Sequence, residues 1–457
     1  MTMENEIRVR FAPSPTGKVH IGNIRAAIYN WLFARHTGGK FLLRIEDTDL
    51  ERSTPEAIKA LLECMEWLGL DYDEEAFYQT RNKSRHLEAV EQLIASGHAY
   101  RCERTSRDGK TGEVVMFRMP KEGTIEFDDI VKGRMAKKAE DIQDFAIVRS
   151  DGSPIFHIAN VVDDIDQRVT HIIRGDDHVE NTFKHICIFK ALGAPVPRYG
   201  HLSMIVNQQG KPYSKRDGAA FVGEFRDSGY LPEALFNYLL LLGWNPGDDR
   251  EVLTKEEMVS LFDLGNVHVT AAKFDMKKLL WMNGEYIKKI PAEKFRDMLV
   301  SAALDGIGDC SSRPVPLRPE LVSCPERTAW WDYLASQIQI RTKLLSGLEE
   351  SVRCFVSDDF AFDAKAVEKR LMKEGVKELI LDLVDRFLQV PEWSAATLED
   401  VVKSLSQGNG MGPWVHPVRV AVSGRGEGIG LFEMLELLGR EKTVERLKKA
   451  AEEMTPR

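Results

Sequence analysis

Between Ile7 and Ile45 the hydrophobic period changes twice, and that change confines the amino-terminal stretch to one arrangement. Ile7, Val9 and Phe11 alternate with Arg8 and Arg10, which predicts a half-buried strand ending at Pro13. From Gly22 the period becomes helical: Ile24, Ala27, Ile28, Trp31 and Leu32 share one face, and Gly38-Gly39 supplies the stop. Phe41 to Ile45 reads as a second strand. Strand, helix and strand in this order form a right-handed crossover with parallel strands. The loop from Ala12 to His20 then lies at the carboxyl end of a sheet, where open α/β folds bind their ligands.

That loop has the chemistry of a phosphate site. A helix amino terminus carries partial positive charge and free N–H groups. His20 can donate to a phosphate that gains charge, Gly22 lets a base or ribose approach the backbone, and Asn23 donates through its amide. A second segment, Gly210-Lys211-Pro212-Tyr213-Ser214-Lys215-Arg216, offers cations to the same phosphates. Gly210 and Asp217-Gly218 allow a flexible loop, and Met204-Ile205-Val206 before it reads as a short buried strand presenting backbone groups to adenine. Alone, the first segment is equally a Pro-rich turn with a surface imidazole, and the second a solvated charged loop. Both in this order point to a nucleotide.

The runs Arg10 to Gly17, Arg44-Ile45-Glu46-Asp47-Thr48-Asp49, Val161-Val162-Asp163-Asp164 and Ile173 to His178 resemble bacterial-type glutamyl-tRNA synthetase, a class I aminoacyl-tRNA synthetase. So do Gly229 to Leu235 with Gly243-Trp244, Trp281-Met282-Asn283-Gly284, and Gly430 to Leu435 with Gly439-Arg440. The resemblance spans almost the whole chain and is weakest at 101–138 and 307–407. It implies ATP-dependent activation of L-glutamate to glutamyl-adenylate, then transfer to the 3′-terminal adenosine of tRNA(Glu) through its 2′-hydroxyl, with adenylate formation itself needing tRNA. Charging of tRNA(Gln) as well, or a non-catalytic paralogue that keeps nucleotide and tRNA binding, stays open. The implied ATP contacts are Thr16, His20, Gly22, Asn23, Asp177, His178, Met204, Ile205, Lys211, Ser214, Lys215 and Arg216, with His20 and Lys215 catalytic. Mg2+ bridges the phosphates with few protein ligands. Glutamate has two carboxylates and one ammonium, so Arg10 and Arg174 are the expected carboxylate partners and Glu46 the ammonium partner, with Ser14, Asn160 and Phe156 completing the pocket.

Four positions depart from the family's pattern. Asn23 stands where many class I enzymes have histidine. Phe156 replaces a tyrosine, which removes a hydroxyl worth about 0.5 to 1.5 kcal/mol as a hydrogen bond; His157 is a candidate replacement donor. Pro212 stands two residues before Ser214 where lysine is usual, displacing Lys211 and restraining the loop. Cys102 is alone where relatives carry a Cys-x-Cys element, and one cysteine cannot build a four-ligand site, so no structural zinc is expected.

The expected architecture is α/β plus all-α: a Rossmann-like catalytic domain at 1–95 and 142–200, a shortened acceptor-binding insertion at 96–141, a stem-contact region with the Ser-Lys-Arg loop at 201–291, and a helical anticodon-binding domain at 292–457. Ser53 with Glu56 reads as a capping box for a helix whose apolar face holds Ile58, Leu61, Leu62, Met65 and Leu68. The helical tail separates the chain from glutaminyl enzymes, which end in β-barrels, and from the glutamyl-queuosine type, which lacks an anticodon domain. Trp330-Trp331, Trp393 and Trp414 are candidates for stacking on anticodon bases, or are core. A net charge of −9 over 457 residues leaves nucleic-acid contact to local patches such as Arg101 with Arg104 and Arg107, Lys132 to Lys138, Lys277-Lys278 and Lys288-Lys289. The six cysteines, at 64, 102, 187, 310, 324 and 354, show no pairing signal. No apolar run approaches the ~18 residues of a membrane span, and Met1 to Arg10 lacks a signal-peptide core, so a cytoplasmic monomer is expected.

Overall fold

The amino-terminal crossover forms as its periodicity requires. In the computed structural model, which describes residues 6–49, 52–105, 111–305, 328–406 and 410–455, strand β1 (Arg8–Phe11) leads into helix α1 (Ile21–Thr37) and returns as β2 (Lys40–Ile45). The two strands run parallel, with Arg8 opposite Lys40 and Phe11 opposite Leu43. Gly38 caps α1 in the left-handed conformation at φ 66°, where a side chain would be strained. The five predicted apolar residues of α1 are buried, but so are Arg25, Tyr29 and Asn30, because the helix is covered on more than one side.

Residues divide into two units, Met1–Met282 and Asn283–Arg457. In the first, α2 (Pro55–Trp67) leads to the short β3 (Phe77–Tyr78), which pairs in parallel with β2. The cap of α2 is Thr54, whose Oγ1 accepts from Ala57 N at 3.2 Å, one residue later than the Ser53 expectation. Pro55 explains the shift: it favours the first helical position and holds the residue before it extended. Leu61, Met65 and Leu68 are buried, and Ile58 and Leu62 half-buried.

After α3 (Lys83–Ala95) come β4 (Ala99–Thr105), β5 (Thr111–Phe117), the hairpin β6 (Thr124–Asp129) and β7 (Gly133–Lys138), then β8 (Phe145–Val148). Helix α4 (Phe156–Asp166), β9 (His171–Gly175), α5 (Val179–Ala191) and β10 (Arg198–Leu202) follow. Strand β9 comes beside β1 on the side away from β2: Thr170 N, just before β9, donates to Arg8 O at 2.9 Å. With β10 parallel to β9, the strands run β3, β2, β1, β9, β10, the doubly wound order that places a crevice between β1 and β9.

Strand pairing does not stop at the expected insertion boundary. β8 pairs with β5, and β6 joins β10 with Tyr199 opposite Asp129, so the catalytic sheet and the intervening segment share strands. Their apolar faces merge into one core containing Leu93, Phe117, Ile147, Ile158, Phe183 and Phe189.

Among its described residues the second unit is built of helices, from Ala292–Asp305 to Arg440–Glu453. Trp330 Nε1 donates to Leu437 O at 3.0 Å and Trp393 Nε1 to Leu435 O at 2.9 Å, while Trp331 is buried. These three indoles therefore serve packing, and the stacking alternative survives only for the half-buried Trp414.

Candidate active site

A cavity of about 650 Å³ opens at the carboxyl ends of β1 and β9, where the strand order reverses. It brings together Arg10, Ser14, Thr16, His20, Gly22, Asn23, Glu46, Phe156, Asn160, Arg174, Asp177, His178, Met204 and Ile205. Lys211, Ser214, Lys215 and Arg216 do not line it, although Pro212 and Tyr213 do.

At one end, charges are buried and cross-linked. Glu46 follows the end of β2 and is held by its own N–H, which donates to Pro13 O at 3.0 Å. Its Oε1 accepts from Asn160 Nδ2 at 2.6 Å and Arg44 Nη2 at 3.3 Å. Arg44 also donates to Asp164 Oδ1 at 2.6 Å, and Arg10 Nε donates to the same oxygen at 3.0 Å. Burial opposes the ionisation of Asp164, but Arg10 and Arg44 outweigh it and hold the carboxyl below its ordinary range. For Glu46, burial wins and pushes the carboxyl up, against the pull of Arg44 and Arg10. Sequence reasoning missed Arg44 and Asp164. Each carried a signal: Arg44 is a charge inside an apolar strand, and Asp164 follows Val161 and Val162 on a helix that buries both.

Two features of this end ask for a polar ligand. Asn160 Oδ1 is buried and has no hydrogen-bond partner, although it adjoins the cavity beside Glu46. Arg174 has no carboxylate against it among the described residues, and burial pulls its guanidinium down to about 10. Phe156 presents its ring to the cavity between the imidazoles of His157, His178 and His185, with centroids 5.5 to 5.7 Å away. His157 does not replace the absent hydroxyl. It turns from the cavity to His185, Nδ1 to Nε2 at 3.1 Å, and burial, reinforced by Lys184 and Arg174, pushes it down to about 4.

The other end is organised by His20. As the cap of α1 its Nδ1 accepts from Gly22 N at 3.0 Å, which leaves the proton on Nε2. Burial lowers its pKa, while hydrogen bonding to the Tyr213 backbone works in the opposite direction. A Cβ on Gly22 would stand 3.2 Å from His20 Nδ1, so this glycine makes room for the capping ring as well as for a ligand. The segment after the Ser-Lys-Arg loop is fastened to the same helix start: Ile21 N donates to Ala220 O and Val222 N to Val19 O, both at 3.0 Å. Residues 12–23 and 210–216 thus meet in space.

The cationic tip of the loop, Ser214 to Arg216, is held off the cavity wall. Tyr213 is buried against Phe274, with ring centroids 4.4 Å apart, and its N–H donates to Ile205 O at 3.0 Å. Asp217 Oδ2 then accepts from Ser214 N at 3.0 Å and Ser214 Oγ at 3.1 Å, closing a turn that leaves Lys215 and Arg216 exposed. Met204 is 44% exposed where a buried strand was expected; β11 is only Ile205–Val206, paired with Ala272–Lys273.

Several predicted basic patches are paired locally. Arg101 meets Glu91 and Glu113, Lys137 meets Glu180, Lys278 meets Glu251 and Lys288 meets Glu285. Arg107, Cys310 and Cys324 lie outside the described residues.

Residues 6–111 and 104–281 match a family model described as tRNA synthetases class I (E and Q), catalytic domain, and residues 294–451 match an anticodon binding domain. A glutamate–tRNA ligase from Francisella philomiragia is 40% identical over 483 aligned positions, covering 98% of this chain and 99% of its own. A glutamate tRNA ligase from Elizabethkingia meningosepticum, crystallised in complex with its amino acid, is similar over 98% of this chain and 100% of its own, with TM-score 0.82 and 26% identity. Glutamate–tRNA synthetase from Elizabethkingia anophelis is similar over the same shares, with TM-score 0.80 and 27% identity.

Proposed function

The chain belongs to the class I tRNA synthetases of the E and Q type, its activity is glutamate–tRNA ligation with ATP, and we propose that the cavity between β1 and β9 is where it occurs. The observation that carries the assignment is the charge balance at the buried end. Asp164 and Glu46 are taken up by Arg10 and Arg44, and the neighbouring Asp163 by Gln79, Asn82 and His86, which leaves the Arg174 cation without a carboxylate on the same cavity as an unpartnered amide oxygen. A ligand with two carboxylates and one ammonium matches both. Its ammonium meets Glu46 and Asn160 Oδ1, and its carboxylates meet Arg10 and Arg174, with Ser14 adding a hydroxyl and Phe156 an apolar wall.

Catalysis then rests on position and charge. The glutamate α-carboxylate attacks the α-phosphorus of ATP and expels pyrophosphate. The ribose hydroxyl of the terminal tRNA adenosine next attacks the mixed anhydride and releases AMP. His20 Nε2–H, freed from the Tyr213 backbone, donates to the α-phosphate as charge builds there. Thr16, Gly22 and Asn23 line the phosphate path, and Asp177, His178, Met204 and Ile205 the nucleoside side. Lys215 acts on the leaving pyrophosphate, with Lys211, Ser214 and Arg216 as helpers, and to reach it the turn at Asp217 must open. Magnesium enters as part of the nucleotide substrate; no three His, Cys, Asp or Glu side chains among the described residues lie close enough to hold a metal ion.

The tRNA is that for glutamate, the working form is the monomer, and the compartment is the cytoplasm, where ATP, glutamate and tRNA meet. No helix among the described residues is long and apolar enough to cross a membrane. Radiolabelled pyrophosphate exchange with glutamate, run with no tRNA, with tRNA(Glu) and with tRNA(Gln), tests the proposal. Exchange with glutamate that rises on adding tRNA(Glu) supports it. Equal stimulation by tRNA(Gln) would make the specificity relaxed, and no exchange under any condition would overturn the catalytic reading.

A further inference from the structure

Arg174 is a buried cation held by neutral groups. Its Nη2 donates to Thr182 Oγ1 at 2.7 Å and to His178 O at 3.3 Å, its Nε stands 3.4 Å from His201 Nε2, and its guanidinium lies over the Tyr199 ring at 5.5 Å. Thr182, His201 and Tyr199 are all buried. On the far side of the imidazole, His201 Nδ1 lies 2.6 Å from Asp129 Oδ2.

That last contact decides the chemistry of the ring. An ionised carboxylate only accepts, so the short contact places the proton on Nδ1. In the neutral imidazole Nε2 is then a lone pair, aimed at Thr182 Oγ1 at 3.0 Å and at the Nε–H of Arg174. The opposite tautomer would set N–H against N–H at Arg174 and a lone pair against a buried carboxylate. Asp129 is itself immobilised: its Oδ1 accepts from Val131 N and Lys132 N at 2.9 Å and from His201 N at 3.2 Å. It sits at the end of β6, in the segment between β4 and β8.

We propose that Asp129 and His201 are positioning residues for the substrate arginine: Asp129 fixes the His201 tautomer, and His201 with Thr182 aims the Arg174 fork across the cavity. The inference rests on the reading that this cavity takes glutamate. It makes glutamate affinity depend on a strand that contributes no side chain to the cavity wall. It also explains why a cation without its own carboxylate keeps one direction: its hydrogen-bonding partners Thr182 and His201 are each fixed by a further contact, to each other and to Asp129.

The test uses the full chain and compares KM for glutamate with KM for ATP in the exchange assay. His201→Phe should raise KM for glutamate by roughly 10- to 100-fold while KM for ATP stays within about twofold. His201→Gln, whose side-chain carbonyl reaches where Nε2 stands, should recover most of that loss. Asp129→Asn should fall between them. Thr182→Val, nearly isosteric, should raise KM for glutamate by roughly 3- to 10-fold. Equal rises in both KM values with no rescue by glutamine would mean a packing role and would overturn the inference. Should His201→Phe not fold, an unchanged glutamate KM in Thr182→Val overturns it equally. Arg174→Lys separates the two layers: if it weakens glutamate while the His201 and Thr182 variants do not, only the positioning inference fails, and if it leaves glutamate unaffected, the reading of the pocket fails with it.

Discussion

Asp164→Asn tests whether the buried charge cluster is a structural requirement of the site. The substitution keeps the volume of the side chain, so it opens no cavity; it removes the charge and turns one of the two acceptor oxygens into a donor. Asp164 Oδ1 receives Arg10 at 3.0 Å and Arg44 at 2.6 Å, and all three side chains are nearly fully buried. Removing one partner of such a cluster leaves cations without compensation, which costs about 3–5 kcal/mol, and the acceptor that asparagine retains puts the expected loss near the lower end, about 3 kcal/mol. Against a typical total of about 5–15 kcal/mol that is a large fraction. Native-state hydrogen exchange reads it locally: amides of β1 and β2 should exchange roughly 100-fold faster, since about 1.4 kcal/mol is a factor of ten. The pH dependence has a definite sign. Arg10 and Arg44 hold the Asp164 carboxyl below its ordinary range against the effect of burial, so its contribution is full above the unfolded value near ~3.9 and is lost as pH falls through the lower folded value. The gap between wild type and variant should therefore close in acid. Exchange in β1 and β2 accelerated by less than about threefold at neutral pH would refute the reasoning.

Three further outcomes follow from the same geometry. Lys215→Ala should lower pyrophosphate exchange by roughly 100- to 1,000-fold with the melting temperature unchanged, because this exposed lysine acts on the leaving group; a rate within about threefold of wild type would remove it from the mechanism. Phe156→Tyr should lower KM for glutamate by roughly 2- to 10-fold by restoring a hydrogen bond worth about 0.5 to 1.5 kcal/mol, and an unchanged or raised KM would show that the pocket has reorganised around the phenyl ring. His157 and His171 are both pushed down to about 4, chiefly by burial, so the unfolded chain binds more protons than the folded one between there and the ordinary histidine value near ~6.5. Melting temperature should accordingly rise with pH across that window, with a shallower rise in His157→Gln; equal slopes in the two proteins would contradict the assignment.

What could be read in the chain was what depends on local order. The alternation at Ile7 to Phe11, the helical spacing from Ile24 to Leu32 and the stop at Gly38 determined the crossover unit, and the crossover determined that His20, Arg10 and Glu46 share one end of a sheet. Periodicity carries this because each apolar residue must find the core within a turn or a pleat of its neighbours. The Thr54 cap was misread by one residue because the proline effect on its predecessor competed with the capping-box pattern. Partners far apart along the chain leave no periodic trace. Arg44 with Asp164, 120 residues apart, and Asp129 with His201, 72 apart, depend on which strands lie side by side and on how burial makes each charge find a counter-group. Those were decided only by the tertiary structure, because an ion or lone pair taken out of water is satisfied by whatever the fold brings within about 3 Å of it.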